Sequence, residues 1–326
     1  MEMWTMSRAE QSADDVAAAA AVEAQSLPII DFAPFLGGNP DDRSATAHAI
    51  AQACRDTGFF YLTGHGVPSD LIDAMFAQSR AFYGLPIEER RSVRTDTDNV
   101  LGWAPPRDSD SLSRNTRLFH QYIVQLGADA PNRWPPTLPD FAPTSERYLA
   151  AMHDLSLELL KAFAIGLGLP EATFADAFRA PPSRLNLLYQ PPLPRAAAGD
   201  VSNMVSHTDE GPITILAQGA TGGLEVKRRD GSWIKASPIP QLFIINVGDV
   251  MMWWTNGRYL SNFHRVRNRS GVERYSIPYF CYPDPTVTVA PLTELLTNGE
   301  APKYPAIRIA DLLDDFRERQ IRHAAG

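Results

Sequence analysis

Seven histidines stand at positions 48, 65, 120, 153, 207, 264 and 323, and two of them could share a metal ion with a carboxylate. His207 and Asp209 lie two positions apart in SHTDEGPITIL, at the head of an apolar run. Side chains at i and i+2 of a strand point to one face, so a strand here would present an imidazole beside a carboxylate. His264 opens the strand-like segment HRVRN much later in the chain. Two imidazoles and one carboxylate on one face of an octahedron leave the opposite positions open. That arrangement suits Fe(II) holding a co-substrate and dioxygen together. A structural zinc site would instead be closed by four ligands, usually including cysteine, and neither Cys54 nor Cys281 is placed to join. Of the remaining histidines, His48 and His153 fall on amphipathic helical patterns and His323 near the end of the chain, where surface roles are expected. His65, in the TGHGVP turn, is expected to make a structural hydrogen bond, and His120 to sit on a strand facing core or pocket.

A second pair follows on ERYSIPYF. Arg274 and Ser276 again share one strand face, and a guanidinium fork beside a hydroxyl suits the carboxylate of a small acid. Alone the pair means little; downstream of a complete metal triad it gains weight.

The elements that must carry these residues change character along the chain. Before residue 183 the pattern is mixed. LPIIDFAPFL begins with a short strand, residues 41–57 form an amphipathic helix, and GFFYLTGHGVP is a strand closed by glycines. A second helix follows over SDLIDAMFAQSRAFYG, its entry capped by Ser69 or Asp70. Residues 118–127 read as a strand, PNRWPPTLPDFAP as an extended connector, and residues 145–168 as the longest helix. After 183, short apolar segments recur between turns: SRLNLLYQ, ITILAQ, GLEVKR, WIKAS, LFIINVG, VMMWWT, HRVRN and RYSIPYFCY. RDGS joins GLEVKR to WIKAS as a hairpin turn. The spacing predicts a mainly β fold with flanking α-helices, an antiparallel sandwich or jelly roll closed by a C-terminal helix over IRIADLLDDFRERQIRH.

These motifs together resemble the isopenicillin N synthase-like branch of the Fe(II)/2-oxoglutarate-dependent dioxygenases, from about Leu27 onward. The likeness runs through LPIIDF, CRDTGFFYLTGHGVP, the NRWP connector, SHTDEGPITIL, GGLEVKRRDGSWIKASPIP, INVGDVMMWWTNGRYLSNFHRV and ERYSIPYF. The resemblance implies a double-stranded β-helix (jelly-roll) core with helices around it. Residues 1–26, whose alanine run is interrupted by acidic residues, read as a disordered or frayed tail, and the resemblance implies an amino-terminal dioxygenase region at 27–145 and the catalytic core with its preceding and C-terminal helices at 146–326. His207, Asp209 and His264 would bind Fe(II). Arg274 and Ser276 would anchor the distal carboxylate of 2-oxoglutarate, with Tyr189 or Asn186 assisting. The family's usual Tyr-Pro is interrupted here, because Gln190 precedes Pro191. Glu210 likewise stands where relatives often carry an aromatic residue. Candidate substrate contacts are Trp103, Arg107, Phe119, Gln121, Ile123, Glu210, Phe280 and Tyr282. The implied reaction splits 2-oxoglutarate and O2 to succinate and CO2 while oxidising a C–H bond of a small molecule. Hydroxylation is the expected outcome, with desaturation or cyclisation as variants and ascorbate as an activator in vitro. Two alternatives stay open: an Fe(II) oxidase that dispenses with 2-oxoglutarate, and a jelly-roll binding protein without catalysis.

Composition bounds the rest. A formal net charge of −8 argues against nucleic acid or an anionic membrane as partner. Two cysteines make no disulfide framework, which points to a reducing, cytoplasmic setting. No apolar run approaches a membrane span. GHGVPS and GLGLPE fail the dinucleotide fingerprint, and the chain has no G-x-S-x-G or H-E-x-x-H. Oligomeric state is not encoded in any motif.

Overall fold

The computed structural model describes residues 27–106, 119–126, 130–192, 204–297 and 299–324. In chain order the strands of the first half are β1 (Ile29–Asp31), β2 (Phe59–Thr63), β3 (Gly102–Ala104), β4 (His120–Gln125) and β5 (Arg184–Gln190). The second half adds β6 (Met204–His207), β7 (Ile213–Gln218), β8 (Leu224–Lys227), β9 (Trp233–Lys235), β10 (Phe243–Val247), β11 (His264–Val266) and β12 (Arg274–Phe280). An eight-stranded sheet has the order β1-β2-β10-β7-β12-β5-β4-β3, and a four-stranded sheet the order β6-β11-β8-β9. All pairings within them are antiparallel except β1 with β2. Facing each other, β5 to β12 form the double-stranded β-helix that the family resemblance implies, and β1 to β4 extend its larger sheet at both edges.

Alternation along each strand sorts side chains into two cores. Outward-facing Leu185, Leu187, Ile213, Ile215, Ile277 and Tyr279 pack against helices, above all the helix Phe141–Gly166 with Tyr148, Met152, Leu155 and Leu159. Inward-facing Phe59, Tyr61, Leu224, Val226, Ile234, Ile244 and Val266 fill the space between the sheets. Central strands are therefore apolar on both faces, as β10 shows with every residue buried.

Three expectations need correction. VMMWWT is not a strand but the core of a helix, Asp249–Trp254. A six-residue apolar run does not separate the two by periodicity; here Val250, Met251 and Trp254 turn to one side, and Trp254 meets Phe174 with ring centroids 5.0 Å apart. The long helix starts at Phe141, inside the segment expected to be an extended connector. Pro143 is tolerated because amides of the first helical turn have no intrahelical partner to lose. The helix Ser69–Gly84 begins on Ser69 itself, and Pro68 at its N-cap offers no side-chain hydrogen bond. Residues 1–26 lie outside the described residues. Among the described residues no helix is long and apolar enough to cross a membrane.

Candidate active site

β6 and β11 bring the two histidines together. His264 is the direct cross-strand partner of His207, and the ring centroids lie 4.2 Å apart. Asp209 is not on the strand with His207: β6 ends at His207, and the chain turns before the carboxylate. The two side chains converge through that turn rather than through strand alternation. Asp209 Oδ1 lies 3.7 Å from Nε2 of both His207 and His264. Three ligand atoms, one from each residue, lie within 4.8 Å of one another.

Each side chain is held so that these atoms stay free. His207 Nδ1 sits 2.8 Å from the Val205 carbonyl and His264 Nδ1 3.3 Å from that of Asn262. A proton on Nδ1 donates to each carbonyl and leaves the Nε2 lone pair for a metal. On Asp209, Oδ2 accepts from Thr214 Oγ1 at 2.6 Å and from Asn246 Nδ2 at 2.8 Å. Thr214 and Asn246 are themselves cross-strand partners on β7 and β10. Burial alone would raise the Asp209 carboxyl, but His264, His207, Thr214 and Asn246 hold it below the usual carboxylate range. Burial and the neighbouring His207 push the His264 imidazole down to about 4, against the pull of Asp209. Both side chains thus favour the deprotonated states that bind metal.

Backbone fixes the turn that carries Asp209. Amides at the start of the Asp249–Trp254 helix reach it: Asp249 N donates to the Asp209 carbonyl at 2.8 Å and Val250 N to that of Glu210 at 3.1 Å. Gly248 allows this approach, since a Cβ there would stand 2.0 Å from the Gly211 carbonyl oxygen.

Arg274 and Ser276 lie on the same inner face, in a cavity shared with the triad, Leu188, Pro278 and Phe280. Arg274 is 2% exposed and donates to Ser276 Oγ at 2.7 Å, yet among the described residues it meets no carboxylate. Burial lowers its guanidinium to about 10. A buried cation without a counter-ion is costly, so this end of the cavity fits an anionic ligand.

The donor set therefore fits Fe(II), and the arginine fits an acid beside it. A family model described as the 2OG-Fe(II) oxygenase superfamily matches residues 182–283, and one described as non-haem dioxygenase in morphine synthesis N-terminal matches residues 27–144. The 2-oxoglutarate-Fe(II) type oxidoreductase hxnY of Emericella nidulans is 31% identical over 306 residues, covering 88% of each chain. The chain belongs to the 2-oxoglutarate/Fe(II)-dependent oxygenases. A full-length Neurospora crassa protein solved in complex with alpha-KG superposes on this oxygenase with a TM-score of 0.84 at 27% identity, covering 90% of this chain and 96% of that one. JOX2 in complex with 2OG, Fe and JA gives a TM-score of 0.79 at 26% identity, covering 92% of this chain and 88% of that one.

Other candidate residues of the oxygenase separate by sheet face. On β5, Leu188 lines the cavity, so Arg184, Asn186 and Gln190 share its face, and Tyr189 points the opposite way. The Tyr189 ring stacks on Tyr83 at 4.9 Å, in the core beneath the helices. Tyr189 therefore does not reach the carboxylate site. Trp103 also faces away: its strand partner is Tyr122, and its ring stacks on His120. Gln121 and Ile123 pair with Leu188 and Asn186, on the cavity side of β4. Phe119, just before β4, is buried. Phe280 lines the cavity, and Tyr282 lies beyond it, where its hydroxyl accepts from Arg184 Nη2 at 2.5 Å and meets Glu210 Oε2 at 3.4 Å. Arg107 lies outside the described residues. His65 makes the structural bonds expected of it, accepting from Val67 N at Nδ1 and donating to the Gln241 carbonyl from Nε2. Thr214 and Asn246 were not among the expected site residues, although a polar residue set inside each of the apolar runs ITIL and FIINV was the available signal.

Proposed function

We propose that the protein oxidises a C–H bond of a small molecule, most simply by hydroxylation, with His207, Asp209 and His264 holding Fe(II) and Arg274 with Ser276 holding the distal carboxylate of 2-oxoglutarate. The observation that carries this reading is the buried Arg274, without a carboxylate partner among the described residues, on the same cavity wall as the triad. When bound, the iron, 2-oxoglutarate and O2 supply an oxidant able to attack an unactivated C–H bond, with succinate and CO2 released. The chain's own residues hold and shield. Thr214 and Asn246 keep Asp209 Oδ1 turned to the centre. Phe59, Leu216, Leu224 and Val266 line the same cavity and exclude water from the reacting atoms.

At the other end of the sheet face, Arg184 stacks over Phe280 and Tyr282, with Glu210 next to the Tyr282 hydroxyl. This aromatic, hydrogen-bonding wall supports a planar, polar substrate held by Glu210, Phe280, Tyr282, Gln121 and Ile123. The test is a metabolite screen scored by succinate release with Fe(II), ascorbate and 2-oxoglutarate. Turnover of a true substrate with no 2-oxoglutarate present would replace this reading with that of an oxidase. For the substrate wall, Glu210→Gln should lower product formation while uncoupled 2-oxoglutarate decay persists; unchanged kinetics for both would remove Glu210 from it.

A further inference from the structure

Charge is not spread evenly along this acidic chain. From Glu225 to Arg269 stand eight of its 30 lysines and arginines but only three of its 38 aspartates and glutamates. The fold gathers three of those cations, Lys235, Arg267 and Arg269, around a groove of about 270 Å³ lined by the loops that follow β7 and β11 and by the end of β9. Thr221, Ser237 and Ser270 add hydroxyls to its wall. Its one carboxylate, Glu225, is engaged by Arg265 Nε at 2.6 Å. Among the described residues Lys235, Arg267 and Arg269 make no ion pair. Arg267 Nε is buried and has no hydrogen-bond partner among them. Its backbone amide donates to the Gly223 carbonyl at 2.8 Å, which holds the two loops together beside the groove. Like charges gathered in this way repel one another, and a partly buried guanidinium without an acceptor is unfavourable. A dianion among them reverses both costs.

We infer that this groove is a second anion site, which takes a phosphoryl group, either of a small phosphorylated molecule or as free phosphate. A phosphoryl group carries close to two charges and three strong acceptor oxygens, which matches three cations better than a single carboxylate does. Two arginines supply the forked donors that such oxygens accept from. The ligand here is distinct from the acid placed at Arg274: of the residues lining the two cavities, only Leu224 is common to both.

The experiment is calorimetric titration of the full-length enzyme, held anaerobic with Fe(II) and saturating 2-oxoglutarate so that the acid site is filled. The probes are glycerol 2-phosphate and, separately, inorganic phosphate, at fixed ionic strength. One probe should bind with one-to-one saturation. Arg267→Met should weaken it at least about tenfold, the effect of losing a hydrogen bond to a charged group. Lys235→Met and Arg269→Met, changed at exposed positions, should weaken it about two- to fivefold. All three variants should keep 2-oxoglutarate affinity within about twofold. Tighter binding of the ester identifies a phosphorylated molecule as the ligand, and tighter binding of the ion identifies phosphate itself. No saturable binding of either probe, or parental affinity in Arg267→Met, overturns the inference. Release of 2-oxoglutarate by the probe also overturns it, because the binding is then at Arg274. Should Arg267→Met not fold, the Lys235→Met and Arg269→Met double variant carries the test, and parental affinity there overturns the inference equally.

Discussion

Replacing Asn246 with alanine removes one of the two donors to Asp209 Oδ2 while touching no metal ligand. The carboxylate is 7% exposed, so water cannot readily replace the lost bond, and Thr214 alone must then orient it. A hydrogen bond to a charged group contributes about 1.5–3 kcal/mol. At about 1.4 kcal/mol per tenfold, that is roughly a ten- to hundredfold loss of Fe(II) affinity, the range seen when an outer partner of a metal ligand is removed. Thr214→Val should act in the same direction. Because both donors serve one oxygen, the double variant should depart from the sum of the singles. Anaerobic Fe(II) titration measures the affinity, with Co(II) absorption as an air-stable reporter, and circular dichroism confirms that the fold survives. Fe(II) affinity within about twofold of the parent in a folded Asn246→Ala protein would refute the claim that Asn246 orients the ligand.

Asp209→Ala should abolish turnover without unfolding the protein, and full activity with Fe(II) supplied would sink the iron assignment. Arg274→Met should cost about 2–5 kcal/mol of 2-oxoglutarate binding yet leave the metal-free protein equally or more stable in urea, since it removes a buried cation without a counter-ion; a clear loss of stability would show that the guanidinium serves the fold. Gly248→Ala forces a Cβ to within 2.0 Å of the Gly211 carbonyl oxygen, and about 1–3 kcal/mol of stability should be lost with weakened metal binding. Burial lowers the His65 imidazole below its ordinary 6.5 despite the bond to Gln241. Its contribution is complete above pH 6.5 and is lost as pH falls from there toward the lowered value. His65→Asn should therefore flatten the fall in Tm between pH 7 and pH 5, and an unaltered slope would exclude His65 as its source.

The metal triad was legible because two histidines and an aspartate sit inside long motifs, and the jelly roll because its turns recur at short intervals. What could not be read was geometry at a resolution of one residue. Adjacent residues on a strand face opposite ways, so of the two assisting candidates Asn186 shares the cavity face of Leu188 and Tyr189 does not, a difference the sequence alone does not show. The face of β5 was fixed only by its register with β12. Asp209 was expected to share a strand face with His207, and the turn after β6 brought it there by another route. Thr214 and Asn246 lie far apart in the chain, and only the pairing of β7 with β10 reveals that they grip one oxygen. VMMWWT is apolar enough for either a strand or a helix, and Gly248 with the Asp209 turn decides for the helix.

The pairing of β2 with β10 has a consequence for biosynthesis. Phe59 lies opposite Asn246 and Leu62 opposite Phe243, so a strand made early finds its partner only roughly 180 residues later. At typical rates of about 5–20 residues per second, ribosomes need some 10–40 s to cover that interval. Through that time Phe59-Phe60-Tyr61-Leu62 must stay shielded or risk pairing with another chain. Asn246, and with it the full grip on the iron-binding carboxylate, arrives only on the strand that ends this wait. Metal capture thus belongs to the finished protein, and expression yield should respond to chaperone supply before it responds to iron.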